Sequence, residues 1–78
     1  MGSYRPHYTG YALNRLATQV AGAMQRKSTM TLAEVAELIG RPTNVASRVL
    51  TIAAGVPKFG LQLTRDAKGR VVGIRRGP

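Results

Sequence analysis

The chain contains no cysteine and no tryptophan, and only three of its 78 residues are acidic. Without cysteine, neither a disulfide nor a thiolate-bound metal can stabilise the fold. The length predicts a single domain that buries only about 60–65% of its unfolded surface, so a deep cofactor pocket is not expected. The apolar runs are only a few residues long, which excludes a membrane span in this sequence.

Positive charge is abundant. Twelve Lys and Arg residues give a net charge of +9, and hydrophobic residues make up 44% of the chain. That apolar content is typical of a globular protein rather than of a disordered basic tail. A charge excess of this size repels itself and favours a polyanionic partner. We therefore expect a cytoplasmic protein, from a bacterial, archaeal or viral setting, with no membrane association.

Three segments show the apolar spacing of amphipathic helices. We predict helices over about 11–26, 31–39 and 43–54, preceded by an irregular arm at 1–10. The link between the first two helices is assigned to 28–30. Together with a short hairpin described below, these segments predict a mainly α fold with a small β-hairpin.

The boundaries of the second and third helices are the best specified. Thr31 and Glu34 have the spacing of a capping box, and Gly40 is suited to end that helix in a left-handed conformation. Pro42 prevents the helix from continuing, and Thr43 is the predicted N-cap of the third. The inward positions of the third helix are predicted to be Val45, Val49, Ile52 and Ala53.

After residue 60 the apolar period changes from 3.6 to 2 residues. Alternation on both sides of Asp66-Ala67-Lys68-Gly69 predicts a β-hairpin over about 61–75. Aspartate suits the first position of such a turn, and glycine suits a left-handed position at its end.

Two short helices joined by a tight glycine-containing turn are typical of a helix-turn-helix. The segment TLAEVAELIGRPTNVASRVL (31–50), with a helix before it and a basic hairpin after it, resembles the winged helix-turn-helix superfamily. The resemblance extends over about 11–76 and indicates no narrower family. It implies a three-helix winged helix-turn-helix domain over 11–78. It also implies binding to double-stranded DNA, with the third helix in the major groove and the hairpin as the wing.

The residue types agree with that implication. On the outward face of the third helix, Asn44 can form two bonds to adenine and Arg48 two bonds to guanine. Ser47 and Thr51 can bind bases or phosphates. Backbone contacts are expected from Arg41, Thr43 and Lys58, and wing contacts to the backbone or minor groove from Arg65, Lys68, Arg70, Arg75 and Arg76.

Each of these features also has a structural interpretation. The polar face of the third helix has the composition of an ordinary solvated helix face, and hairpin cations commonly protect sheet edges. Five cations against one acid exceed what edge protection needs. The tyrosines Tyr4, Tyr8 and Tyr11 are suited to stack on bases, but packing on the first helix is the preferred interpretation.

Catalysis is not expected. His7 is the only histidine and has no carboxylate near it in the sequence, so it forms neither a metal site nor a catalytic dyad. Ser28, Ser47 and the threonines have no base to activate them. We therefore predict no enzyme activity, no metal, no cofactor and no small-molecule ligand.

Three functions from different classes fit the sequence. The first is sequence-specific DNA binding, as a small transcriptional regulator or an architectural, excisionase-like factor. The second is an RNA- or ribosome-binding winged helix, because a basic wing also suits A-form backbones. The third is a small phage-type interaction module that docks on an acidic protein partner. A homodimer would have to use the first helix or the aromatic arm, since no heptad pattern is present.

Overall fold

The computed structural model describes the backbone of residues 10–77 and the side chains of residues 12–77. Residues 1–9 of the predicted arm and the side chain of Tyr11 lie outside the described residues, and Gly10, predicted as the last residue of the arm, is instead the first residue of the first helix. The described chain forms three helices and a three-stranded antiparallel sheet, a mixed α/β layout. The elements are α1 (Gly10–Ala23), β1 (Thr29–Thr31), α2 (Leu32–Ile39), α3 (Thr43–Ala54), a 3₁₀ turn (Pro57–Phe59), β2 (Leu61–Arg65) and β3 (Val71–Arg76).

All three predicted helices and the predicted hairpin are present, but the prediction missed β1. The segment 28–30, assigned to a link, enters a strand that pairs antiparallel with β3, with Met30 opposite Ile74. The strand order is β1-β3-β2, so β3 is the central strand. A three-residue strand is too short to show alternation, and it forms because β3, which lies 42–46 residues later in the chain, supplies its hydrogen bonds.

The N-terminus of α2 has the predicted capping box. Thr31 Oγ1 accepts from the Glu34 backbone N–H at 3.1 Å, and the Thr31 N–H donates to Glu34 Oε1 at 2.8 Å. That backbone hydrogen bond, and then the nearby Lys27 ammonium, lower the pKa of the Glu34 carboxyl. The helix ends at Gly40, whose φ of 68° is the left-handed conformation expected there. Acidification below the lowered pKa of Glu34 protonates its carboxyl, so the contribution of the ionised carboxylate in the capping box to stability is lost.

Replacing Thr31 with alanine is expected to lower the free energy of unfolding by about 1 kcal/mol, because the Glu34 N–H loses its acceptor. Thermal melting of the Thr31→Ala variant checks this. The matched control is Thr18→Ala, since Thr18 is exposed within α1 and its hydroxyl only donates back to the Asn14 carbonyl at 3.0 Å. An unchanged melting temperature for Thr31→Ala would contradict a stabilising box.

The N-cap of α3 is Pro42, not Thr43 as predicted. The Pro42 carbonyl accepts from the Val45 and Ala46 N–H groups at 3.1 and 3.0 Å, so Thr43 is already the first helical residue. Proline needs no donor at this position and its fixed φ is compatible with the extended cap. The Thr43 side chain is therefore exposed at the start of α3 rather than committed to a cap.

The core surrounds α3, which packs against α1, α2 and both strands of the hairpin. Of its predicted inward residues, Val45, Val49 and Ala53 are buried and Ile52 is half-buried. Ala46 and Leu50 were missed, although both are fully buried. Because α1, α2 and the hairpin pack against different faces of α3, residues on more than one face of this helix are buried. Only a narrow polar face remains exposed.

No helix in the described part of the chain is both long and apolar enough to cross a membrane.

Candidate nucleic-acid interface

The outward face of α3 is fixed by its buried side. Val45 and Val49 are buried, so the helix cannot rotate without exposing them. Asn44, Arg48 and Thr51 are consequently exposed, while Ser47 is half-buried. Residues four apart lie one above the other on a helix, which places Asn44 directly beside Arg48.

The polar side chains of this face divide into two kinds. The Ser47 hydroxyl donates to the Asn44 carbonyl at 3.1 Å, and the Thr51 hydroxyl donates to the Ser47 carbonyl at 2.9 Å. The side chains of Asn44 and Arg48 make no hydrogen bond or ion pair with any described residue. These two side chains are the ones that α3 offers to a partner without first breaking an internal bond.

The tip of the hairpin (residues 65–70, called the hairpin tip below) is organised by its own acid. Asp66 Oδ1 accepts from the Lys68 and Arg70 backbone N–H groups, both at 2.9 Å, and Oδ2 lies 3.5 Å from Arg70 Nε. Arg65 Nη1 donates to the Gly69 carbonyl at 2.9 Å, and Gly69 has a φ of 83°. The sequence indicated the turn but not this role for Asp66. The hairpin tip is thus held in one shape, and the Lys68 ammonium makes no hydrogen bond or ion pair with the side chains and backbone of residues 12–77.

A cleft brings α3 and the hairpin tip together. It is an open cavity of about 420 Å³ between the first half of α3, the start of α2 and the tip. Its lining combines polar and basic side chains with the aliphatic Leu32 and Val71. The lining residues are Leu32, Thr43, Asn44, Ser47, Arg65, Gly69, Arg70 and Val71.

A register shift shapes this cleft. Arg65 pairs with Val71 and Thr64 with Gly73, so Val72 is an extra residue in β3. A bulge of this kind bends the strand and re-aims its side chains. Val71 accordingly packs against the core while Val72 is 42% exposed. No pattern in the sequence indicated the bulge, because the alternation in residues 71–76 is imperfect throughout.

The predicted hairpin cations do not lie together. Arg75 is opposite Gln62 and Arg76 is opposite Leu61, which places both at the open end of the hairpin. Gln62, the residue opposite Arg75, lies three positions from Arg65 along β2, or about 10 Å at about 3.3 Å per residue. Lys58 lies in the 3₁₀ turn just before this same end. The cleft therefore gathers Arg65 and Arg70, with Lys68 on the tip beside it, but not the other predicted hairpin cations.

Arg41 does not line the cleft. It lies in the turn between α2 and α3. Its Nη1 donates to the Gly40 carbonyl at 3.2 Å. With Arg15 and Gln19 of α1 it lines a separate cavity of about 650 Å³. This cavity adjoins α1 rather than the hairpin tip.

Arg76 has a structural role that the sequence did not indicate. Its Nε and Nη2 donate to the Met24 carbonyl at 3.0 and 2.7 Å, and Nη2 also donates to the Gln25 carbonyl at 2.7 Å. The predicted first helix, 11–26, is wrong at its end, because α1 stops at Ala23 and residues 24–26 form a turn. Arg76 satisfies the carbonyls exposed there, so its guanidinium is already occupied.

Replacing Arg76 with alanine is expected to lower the free energy of unfolding by about 2 kcal/mol, because charge-assisted hydrogen bonds to two carbonyls are lost. The matched control is Arg75→Ala, because Arg75 is the exposed residue just before Arg76 in β3. Its substitution should change the free energy of unfolding by about 0.5 kcal/mol or less. Chemical denaturation of both variants measures the difference. Equal stabilities would contradict the structural role of Arg76.

Within residues 12–77, no group of three His, Cys, Asp or Glu side chains lies together in a way that could hold a metal ion. The chain matches no protein-family model, no curated protein and no solved structure. Its surface chemistry is therefore the basis for assigning a function.

Proposed function

We propose that this chain is a winged helix-turn-helix module that binds double-stranded DNA in a sequence-dependent way. The observation that carries the proposal is the cleft in which the exposed polar face of α3 meets the cations of the hairpin tip. The layout of three helices and a small antiparallel sheet is consistent with this fold. In the proposed complex α3 enters the major groove, and the hairpin tip acts as the wing on the adjacent backbone or minor groove.

The exposed face of α3 fits base recognition. Asn44 and Arg48 are exposed and bind no other residue in the part of the chain that the structure describes, and both can form two hydrogen bonds to a purine edge. Ser47 and Thr51 already donate to carbonyls of α3, so their hydroxyl oxygens serve as short-range contacts rather than as the principal readers. Two readers predict a short preferred motif containing adenine and guanine.

The hairpin tip fits contact with the sugar–phosphate backbone. Its internal hydrogen bonds hold it in one shape, so little conformational entropy is lost on binding. Asp66 is the only acid near it in the hairpin and is engaged with Arg70 at 3.5 Å. With Arg65, Lys68 and Arg70 against Asp66, the tip keeps a net positive charge beside the cleft. Such contacts fix the position of the protein on a duplex but carry little sequence information.

The test is selection of bound duplexes from a random pool by the natural chain and by Asn44→Ala and Arg48→Ala. Each substitution should weaken binding to the preferred site about 10-fold, or about 1.4 kcal/mol, and change random DNA much less. The control Asn14→Ala alters an exposed asparagine on α1, away from the cleft.

A selected motif that survives both substitutions unchanged would overturn the assignment of the readers. A-form RNA duplex is included as a competitor, because its narrow major groove does not admit a helix. Preferential binding to the RNA duplex would show that the surface recognises A-form backbones instead of DNA bases.

A further inference from the structure

Two aliphatic residues are part of the lining of the cleft. Leu32 is the first residue of α2, and Val71 is the first residue of β3. Both are half-buried, because each packs against the core and also lines the cleft beside α3. The contacts proposed above, between α3 and purine edges and between the hairpin tip and phosphates, involve neither residue.

Thr43 brings a methyl group to the same cleft. It is the first residue of α3, it is exposed, and it lines the cleft together with Leu32 and Val71. Its hydroxyl forms no hydrogen bond with the side chains or backbone that the structure describes. Asn44, the proposed reader of adenine, follows it directly in α3 and lines the same cleft. The apolar groups therefore lie beside a position where a base edge is expected.

The aliphatic part of the cleft suits a methyl group better than a phosphate. A phosphate placed against Leu32 and Val71 would lose hydration without gaining a hydrogen bond from them. An apolar group gains free energy from the same burial. Among the groups that base pairs expose in the major groove, the apolar one is the C5-methyl group of thymine. Thymine is also the pairing partner of adenine, the base that Asn44 is suited to bind.

We propose that Leu32, Thr43 and Val71 form a subsite for the 5-methyl group of a thymine that lies within one base-pair step of the adenine bound by Asn44. This inference rests on the proposed function, which places Asn44 against base edges in the major groove. The cleft is open, so the edge of a base can enter it. A protein with this subsite distinguishes thymine from uracil, which lacks only the methyl group.

Deoxyuridine substitution tests the inference on the natural chain. The duplex selected from the random pool is prepared with thymine throughout, and again with one thymine at a time replaced by deoxyuridine. Fluorescence anisotropy measures the affinity for each duplex. We expect one replacement, within one base-pair step of the adenine that Asn44 binds, to weaken binding about 4-fold, which is the effect of burying one methyl-sized group. The other replacements should change the affinity much less.

Two variants assign the thymine preference to the subsite. Leu32→Ala shortens an aliphatic side chain, and Thr43→Ser removes a methyl group but keeps the hydroxyl. Each should reduce the preference for thymine over deoxyuridine to about 2-fold or less. The matched controls keep the full preference: Leu38→Ala alters an exposed leucine near the other end of α2, and Thr18→Ser alters an exposed threonine of α1. The preference is a ratio of two affinities of one protein, so a change in stability alone does not alter it.

The inference is wrong if the natural chain binds every deoxyuridine duplex as tightly as the thymine duplex, or if the sensitive thymine lies farther from the adenine. It is also wrong if the full preference persists in both Leu32→Ala and Thr43→Ser, because the methyl group would then act elsewhere or through the stiffness of the DNA. In all these cases the selected motif remains and the proposed function stands. A random pool that yields no preferred duplex would instead contradict the proposed function, and the subsite with it.

Discussion

Raising the monovalent salt concentration from about 50 to about 200 mM should weaken binding to duplex DNA about 500-fold. The estimate assumes that about five phosphates are neutralised, which gives a slope of about −4 to −5 for log K against log salt. Four cations face or flank the cleft, namely Arg48, Arg65, Lys68 and Arg70. Arg41, on the side of the domain that adjoins α1, is the expected fifth phosphate contact. Fluorescence anisotropy with one labelled duplex, repeated over a series of salt concentrations, measures the slope.

Lys68→Ala is the sharpest variant for this measurement. Arg65 and Arg70 also hold the turn together through Gly69 and Asp66, so their loss changes the shape of the tip as well as its charge. The Lys68 ammonium makes no internal contact within the described chain, and its removal should reduce the slope by about 1 for all sequences alike. A slope near zero in the natural chain would exclude nucleic acid as the main partner.

Replacing Gly73 with alanine should lower the free energy of unfolding by about 3 kcal/mol, near the upper end for an overpacked site. A Cβ at this position would meet the Met30 carbonyl oxygen at 2.5 Å and Thr64 Oγ1 at 3.0 Å. The carbonyl belongs to the backbone of β1, so it cannot move without shifting that strand away from β3. For a domain of this size the loss is a large share of the total stability.

Gly22→Ala provides a matched control for Gly73→Ala. Gly22 lies in α1, and a Cβ there would meet nothing within 4 Å. Alanine is favoured over glycine in a helix by about 1 kcal/mol, so this variant should be slightly more stable than the natural chain. Urea denaturation of the two variants should therefore shift in opposite directions. Equal or similar stabilities would show that β1 does not approach β3 closely at Gly73.

The features that the sequence predicted correctly are local ones. The capping box at Thr31 and the left-handed Gly40 depend on residues within a few positions of each other. The same holds for the turn at Asp66 and Gly69, where side chain and backbone interact within five residues. Short-range signals of this kind can be identified without knowing the remainder of the fold.

The features that were missed depend on distant parts of the chain. β1 exists because β3 pairs with it, and α1 ends early where Arg76, 52 residues later, binds the Met24 carbonyl. Leu50 is buried because α3 is covered from several sides. The predicted hairpin cations fall into two groups for the same reason. Arg75 and Arg76 lie at the open end of the hairpin, whereas Arg65, Lys68 and Arg70 lie at its tip. Sequence patterns showed which residues are basic but not which of them face the same partner.

The central position of β3 has a consequence for how the protein is made. Residues 71–76 supply the partners of both other strands, and they leave the ribosome after all three helices. Before that moment β1 and β2 have no strand to pair with, and Met30 lacks the buried Ile74 opposite it. Productive folding of this domain should therefore wait until residues 71–76 have left the ribosome, with its helices collapsing first and its sheet closing last.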